Sequence, residues 1–274
     1  LLRLFGRRVV IMNDSKFDDK PRRLGFEWFK SLALLPYSGA LVAGVKQAEY
    51  FRFLGFRAPI TLGYDTMSLA RLRGYLGDEE LIDVPYDERP FLFVGRFVPK
   101  KNLKTLIQAY GLYREKRGGV ARDLVLIGDG PLRPAIEAQI ASLGAGDHVR
   151  LAGFLDQPAI ARAMSSALCL ITPSIEEQWG LVINEALAFD LPVIASSAVG
   201  ATESLVRSGV NGFLIEPGNV AGMAFHLCLF DADERLWRRL REGARAMAGR
   251  GDVGRFVDGA SGHWRDPKAP VRGG

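Results

Sequence analysis

The segment IEEQWGLVINEAL, residues 175–187, sets two carboxylates, Glu177 and Glu185, eight positions apart around a tryptophan, a glycine and a short apolar run. An ionised carboxylate accepts two hydrogen bonds and so suits a vicinal diol, as in ribose or a hexose, while like charge excludes it as a phosphate ligand. A second segment carries the opposite chemistry. In GRFVPKKN, residues 95–102, Arg96 follows an apolar run ending in Gly95, and Lys101 stands at the start of a helical pattern. Two fixed cations beside the positive end of a helix dipole match a pyrophosphate. Together the acids would hold two sugars of one ligand and the cations the diphosphate between them. A helix starting near Gly180 would point the backbone N–H groups of Trp179, Gly180 and Leu181 into the same cleft, where a glycine leaves room for a phosphate or sugar oxygen. The plainer reading makes Glu177 a helix-cap acid, Glu185 a solvated helix-face charge, and Lys100 and Lys104 helix-terminal charges. Against it, Glu185 lies between Ile183 and Leu187, and Glu176 already supplies a solvated acid.

These loops need a scaffold that gathers them. FLFVG (91–95), LVLIG (124–128), VRLAGF (149–154), LCLITPS (168–174) and PVIAS (192–196) read as short buried strands. Helical spacing predicts helices over 102–116, 132–143, 158–166, from about 180, and over 201–208. The first has Leu103, Leu106, Ile107, Tyr110 and Tyr113 as its apolar stripe. Such alternation implies a parallel sheet wound on both faces, with any ligand at the carboxyl ends of the strands. The same grammar recurs upstream, with strands over 8–12, 40–44 and 59–63 and helices over 25–35 and 47–54. The expected fold is therefore α/β, one complete Rossmann-like carboxyl-terminal domain with a parallel sheet and a partial Rossmann-like amino-terminal domain. The expected bounds are 1–88, 89–250, and 251–274 for a terminal helix and disordered tail, with a linker at Leu81–Pro90.

Composition narrows the partners. The chain has 274 residues, 48% of them apolar, and a formal charge of +5, which describes a globular protein with a sizeable core. Its arginines are dispersed rather than blocked with aromatics, against a nucleic-acid surface. A peripheral touch on an acidic membrane stays open, the arginine-rich segment 235–250 being one place for it, although a solvated helix burying Leu236, Trp237, Leu240 and Met247 reads better. The longest uncharged run, Ser31–Val45, is broken by Pro36 and Gly39 and falls short of the ~20 residues of a membrane span. Cys169 and Cys228 sit in apolar stretches as small hydrophobes, consistent with a cytoplasmic setting. The opening LLRLFGRR lacks a methionine and signal-peptide grammar, as expected of a piece of a longer protein. Rival motifs are weak: DAD at 231–233 reads as a helix-capping loop, GDGPLR lacks the third glycine of a dinucleotide fingerprint, and His148, His226 and His263 have no ligand spacing.

GRFVPKKN, GDGP, VRLAGF, PSIEEQWGLVINEALAFDLPVIAS, VGATESLV and GVNGFLIEPGN, in this order, resemble the carboxyl-terminal domain of glycosyltransferase family 4, retaining enzymes of the GT-B fold. The resemblance covers roughly residues 90–250. Residues 8–65, with NDSKFDDKPR and ITLGYD, resemble the second half of the amino-terminal domain. It implies a nucleotide-diphosphate sugar as donor, retention at the anomeric carbon, no metal or other cofactor, and an acceptor that is a glycan, a glycolipid or a small molecule. By the family's E-x7-E motif Glu177 would meet the donor sugar and Glu185 the ribose. Arg96 and Lys101 would stabilise the departing diphosphate, which with Glu177 makes them the catalytic set. Gly95, Gly153, Phe154, Trp179, Gly180 and Leu181 would line the donor site, Gly153 and Phe154 near the base, and Glu203 would lie in a nearby loop. The expected setting is the cytoplasm, with peripheral contact at the inner face of the membrane left open. Two features depart from the pattern. The glycine-rich loop and histidine of the family's amino-terminal domain are not among these residues, and Asn102 and Asp190 stand where glycine is usual, although both accept left-handed turns. A catalytically incomplete nucleotide-sugar-binding fragment, or a GT-B sugar-nucleotide epimerase, are the other readings.

Overall fold

Runs such as FLFV and LVLI are apolar on both faces, the pattern of strands covered by helices on either side, and they form the centre of a six-stranded parallel sheet. The computed structural model describes residues 7–77 and 81–265. The tail expected to be disordered, the opening LLRLFG and the side chain of His263 lie outside the described residues. The first sheet contains β1 (Val10–Asn13), β2 (Gly39–Val42) and β3 (Ile60–Leu62), all parallel and in that order, with α1 (Leu24–Leu34), α2 (Val45–Phe53) and α3 (Leu69–Gly74) in the connections and after β3.

The second unit runs β4 (Phe91–Val94), α4 (Leu103–Arg117), β5 (Leu124–Ile127), α5 (Arg133–Ser142), β6 (Val149–Gly153), α6 (Gln157–Ser166), β7 (Cys169–Thr172), α7 (Val182–Ala188), β8 (Val193–Ser196), α8 (Thr202–Leu205) and β9 (Gly212–Ile215). Three helices follow: α9 (Val220–Ala232), α10 (Glu234–Ala248) and α11 (Val253–Arg265). The sheet order is β6-β5-β4-β7-β8-β9. All five stripe residues of α4 are fully buried in the core between sheet and helix. The edge strand β9 lay outside the expected set.

Three expectations shift. The terminal helical region expected over 245–262 breaks at Gly249–Gly251, and α11 turns back to the first sheet, where Thr61 Oγ1 donates to Gly259 O at 3.2 Å. The segment 81–90 is no free linker: buried Arg89 donates to the carbonyls of Val84 and Ser165, and Ile82 N–H donates to Ser165 Oγ. Asp231 is not in a loop but ends α9, buried between Arg117, Arg122 and the Tyr113 hydroxyl, while Asp233 does cap α10 through Leu236 N–H at 2.9 Å. In α10 itself Leu236, Trp237, Leu240 and Met247 are all buried, as their spacing indicates.

Asn102 and Asp190 both adopt φ 54°, and among the described residues they alone do so without being glycine. Asn102 is further held by Nδ2 donating to Pro173 O at 3.2 Å and Oδ1 accepting from Thr105 Oγ1 at 2.9 Å. Asn102→Ala is expected to lower stability by about 1–2 kcal/mol, because it keeps a β-carbon in a left-handed backbone while losing the amide's hydrogen bonds to Pro173 O and Thr105 Oγ1, and Asn102→Gly by less, because it relieves the backbone. Urea unfolding of the two variants side by side measures the difference.

Candidate functional site

The second sheet reverses its direction of winding between β4 and β7, and an open parallel sheet binds its ligand outside the carboxyl ends at such a reversal. Both motif loops leave the sheet there, GRFVPKKN from β4 and IEEQWG from β7. Ile175 N–H donates to Lys100 O at 2.9 Å, and Asn102 reaches Pro173 O, so the loops are laced together. Lys101 Nζ forms an ion pair with Glu177 Oε2, both side chains largely buried. Arg96 is exposed at the end of β4, and its guanidinium has no hydrogen-bond or ion-pair partner among the described residues. With Lys101 and Glu177 compensating each other, Arg96 stands at the end of β4 as an uncompensated charge among the described residues.

Helix α7 starts at Val182, two residues later than the spacing suggested. Gly180 precedes it at φ 102°, and a β-carbon there would lie 2.8 Å from Val199 Cγ1, so the turn requires glycine. The Trp179 indole is buried and donates to Asn184 Oδ1 at 3.0 Å, leaving only its backbone to face a ligand. Leu181 is exposed beside it. Glu185 lies one turn into α7, without a side-chain partner among the described residues, and burial pushes its carboxyl up to about 7. Gly95 N–H donates to Ile127 O at 2.9 Å, fixing the exit of β4. Gly95, Arg96, Lys101, Glu177, Gly180, Leu181 and Glu185 thus belong to two adjoining loops and the helix that follows. Gly153 and Phe154 stand apart at the carboxyl end of β6, with β5 between them and β4, and Phe154 is 76% exposed.

The amino-terminal unit also reaches this end of the sheet, which periodicity did not indicate. Gln47, fully buried near the start of α2, donates through Nε2 to Gln178 O at 2.8 Å, and Lys46 Nζ donates to Ser197 O at 2.7 Å. A β-carbon on Gly44 would meet the Trp179 ring at 2.6 Å, so the helix packs directly on the IEEQWG loop. Glu203, expected in a loop, occupies the first turn of α8 and lies 3.7 Å from Lys46. Asn184 Nδ2 donates to Asp65 O at 3.3 Å and Gly251 O at 3.1 Å. Burial, with the charge of Asp14 adding to it, raises the Asp65 carboxyl to about 6. The one signal in the sequence was an acid and a lysine just past two strand ends.

Other features have structural explanations. A cavity of about 790 Å³ opens at the opposite, amino-terminal ends of β4, β5 and β6, but the guanidinium groups of Arg89 and Arg122 that line it are engaged with carbonyls and with Asp231. His148 contacts Asp123 at 3.2 Å, and His226 stacks on Phe213 at 4.4 Å. No group of three or more His, Cys, Asp or Glu side chains suited to a metal occurs among the described residues. No helix among them is long and apolar enough to cross a membrane.

Comparison with known proteins places this geometry. Residues 82–247 match the family described as glycosyl transferases group 1. The D-inositol 3-phosphate glycosyltransferase of Thermobispora bispora is 34% identical over 163 residues, 57% of this chain and 38% of that protein. The alpha-D-kanosaminyltransferase of Streptomyces kanamyceticus is 30% identical over 162 residues, 59% of this chain and 41% of that protein. The chain therefore matches about two fifths of the length of these relatives. Among solved structures, HepE of Anabaena in complex with UDP superposes with a TM-score of 0.76 at 21% identity, covering 96% of this chain and 73% of that one. Sucrose-phosphate synthase of Thermosynechococcus elongatus superposes with a TM-score of 0.73 at 23% identity, covering 93% and 67%. These neighbours and the two parallel sheets give the α/β GT-B fold. With the family match extending over more than half of its residues, the chain belongs to the group 1 glycosyl transferases.

Proposed function

We propose that this chain carries the donor site of a retaining, metal-independent glycosyltransferase that takes a hexosyl-type sugar from a nucleotide diphosphate. The observation that carries the reading is the pairing of Lys101 with Glu177 beside an Arg96 and a half-buried Glu185 that have no side-chain partner among the described residues. A bond to an anomeric carbon breaks with negative charge collecting on the leaving diphosphate, and preorganised cations there lower the barrier without a metal. Arg96 and Lys101 have that role. Glu177 holds the donor sugar hydroxyls, Glu185 the ribose diol, and the backbone around Gly180 takes a phosphate or sugar oxygen. Gly153 and Phe154 border the base. The acceptor is a glycan, a glycolipid or a small molecule, held largely by the amino-terminal unit.

Because the chain spans about two fifths of its curated relatives, binding and transfer are to be measured separately. A ligand that binds the native state alone stabilises it, by about 2.7 kcal/mol at one hundred times its Kd. Within a panel of UDP-, GDP- and ADP-sugars, one is expected to raise the melting temperature by several degrees, undiminished by a chelator. A panel in which no nucleotide sugar shifts melting would refute the donor site, and a shift abolished by chelator would refute metal independence.

A further inference from the structure

Asn184 precedes Glu185 in α7 and is 1% exposed, among the fully buried Ile183, Ala186 and Leu187. Packing alone would be served there by a leucine, which has nearly the same shape. A buried amide is costly unless its polar atoms are paired, and this one uses both of its N–H groups and its oxygen. Oδ1 accepts from the Trp179 indole at 3.0 Å, while Nδ2 donates to Asp65 O at 3.3 Å and to Gly251 O at 3.1 Å. What the amide adds over an apolar side chain is direction, because its three hydrogen bonds fix three segments at once.

Those segments come from different parts of the fold. Trp179 belongs to the loop after β7, Asp65 follows β3 in the amino-terminal unit, and Gly251 lies in the break between α10 and α11. Gly251 comes so near that a β-carbon on it would lie 2.8 Å from Asn184 Nδ2. On the loop side, Trp179 O accepts from Ala201 N–H at 2.9 Å. On the other side, Gly251 O accepts a further bond from Met67 N–H at 3.0 Å, two residues past Asp65. One side chain thus ties the backbone at 179–181 to the carboxyl end of the first sheet.

We propose that Asn184 is a positioning residue, which sets the donor loop against the amino-terminal unit so that residues 179–181 meet the nucleotide sugar while the end of β3 is held on the acceptor side. The inference rests on the donor-site reading above. Asn184 acts through Trp179 and Asp65, and it needs to touch neither substrate.

Two near-isosteric variants divide the amide's work: Trp179→Phe removes the indole N–H alone, and Asn184→Leu removes all three bonds. Hydrogen exchange on the 274-residue chain reads the tie without any ligand. Asn184→Leu is expected to speed exchange at both Ala201 and Met67 about tenfold or more, the scale of one buried polar group left unpaired, with the amides of β5 unchanged. Trp179→Phe is expected to speed Ala201 alone. Each variant is expected to weaken about tenfold whichever of the UDP-, GDP- and ADP-sugars the parent chain binds. In an active transferase Trp179→Phe is expected to raise the donor KM at unchanged kcat, whereas Asn184→Leu lowers kcat as well, because it alone frees the end of β3.

A parent chain that binds no nucleotide sugar would refute the donor site, whereas the tie itself stands or falls on exchange. Exchange in Asn184→Leu that rises on one side only, or evenly through β5, overturns the inference. So does lower melting with parental KM and kcat, which would leave Asn184 as core packing. Where Asn184→Leu does not fold, Trp179→Phe carries the test, and parental exchange at Ala201 with parental donor affinity in that variant overturns the inference equally.

Discussion

Arg96→Ala is expected to lower turnover in an active transferase by about 100-fold at saturating donor, the scale of removing one preorganised donor to a developing negative charge. The expectation rests on where Arg96 stands. It leaves the carboxyl end of β4 at the winding reversal of the sheet, is exposed, and has no partner among the described residues, so its removal leaves no buried group uncompensated. Melting should therefore stay unchanged. Lys101→Ala is a less clean test, because it strands the largely buried Glu177 carboxylate and mixes a structural loss with a catalytic one. The kinetic pattern tells the roles apart. A fall in kcat and in kcat/KM by equal factors means that Arg96 acts only in the transition state, whereas a rise in KM alone means that it binds donor and transition state alike. Near-normal turnover at saturating donor would remove Arg96 from the catalytic set.

The amount of this site that could be read from residue order follows from how its parts are held. That Arg96, Lys101, Glu177 and Glu185 gather at one end of the sheet was legible because the first three lie in loops that leave strand ends and Glu185 in the helix that follows one of them, and a parallel sheet brings such ends together whatever the details of packing. The left-handed turns at Asn102 and Asp190 were legible because few side chains tolerate that backbone. The contribution of α2 was not. Gln47 and Lys46 reach the loops after β7 and β8 only through the placement of one unit on the other, which leaves no periodic trace within either. The linker failed for a related reason: acids and prolines at 81–90 look like solvent, yet one buried arginine, Arg89, fastens the segment to carbonyls around α6. For α1 the spacing gave the helix but not which side faces inward, because the Tyr50 hydroxyl and Arg22 make Glu27 a buried residue and release the aromatics outward.

Glu185 ties stability and binding to pH with opposite signs. Its carboxyl titrates at 4.5 when exposed and at about 7 in the folded chain, for which burial is the cause. Between those values the folded state keeps a proton that the unfolded chain has lost, so stability falls as pH rises through the window, and the full penalty stands above 7. At 1.36 kcal/mol per pKa unit that penalty is up to about 3 kcal/mol. Glu185→Gln, which cannot ionise, is therefore expected to be more stable than the parent at about pH 8 by up to that amount, and equal to it near pH 4. Donor affinity should move the other way. A ribose diol donating to the carboxylate favours its charged form, so binding releases the proton, and affinity should climb up to about tenfold per pH unit towards 7 and then level off. Calorimetric titrations in two buffers of different ionisation enthalpy would register the released proton, and Glu185→Gln should abolish both the release and the slope. An affinity that is flat across neutrality in the parent chain, or a slope that survives in Glu185→Gln, would separate Glu185 from the ribose and return it to the helix face as an unaided, half-buried acid.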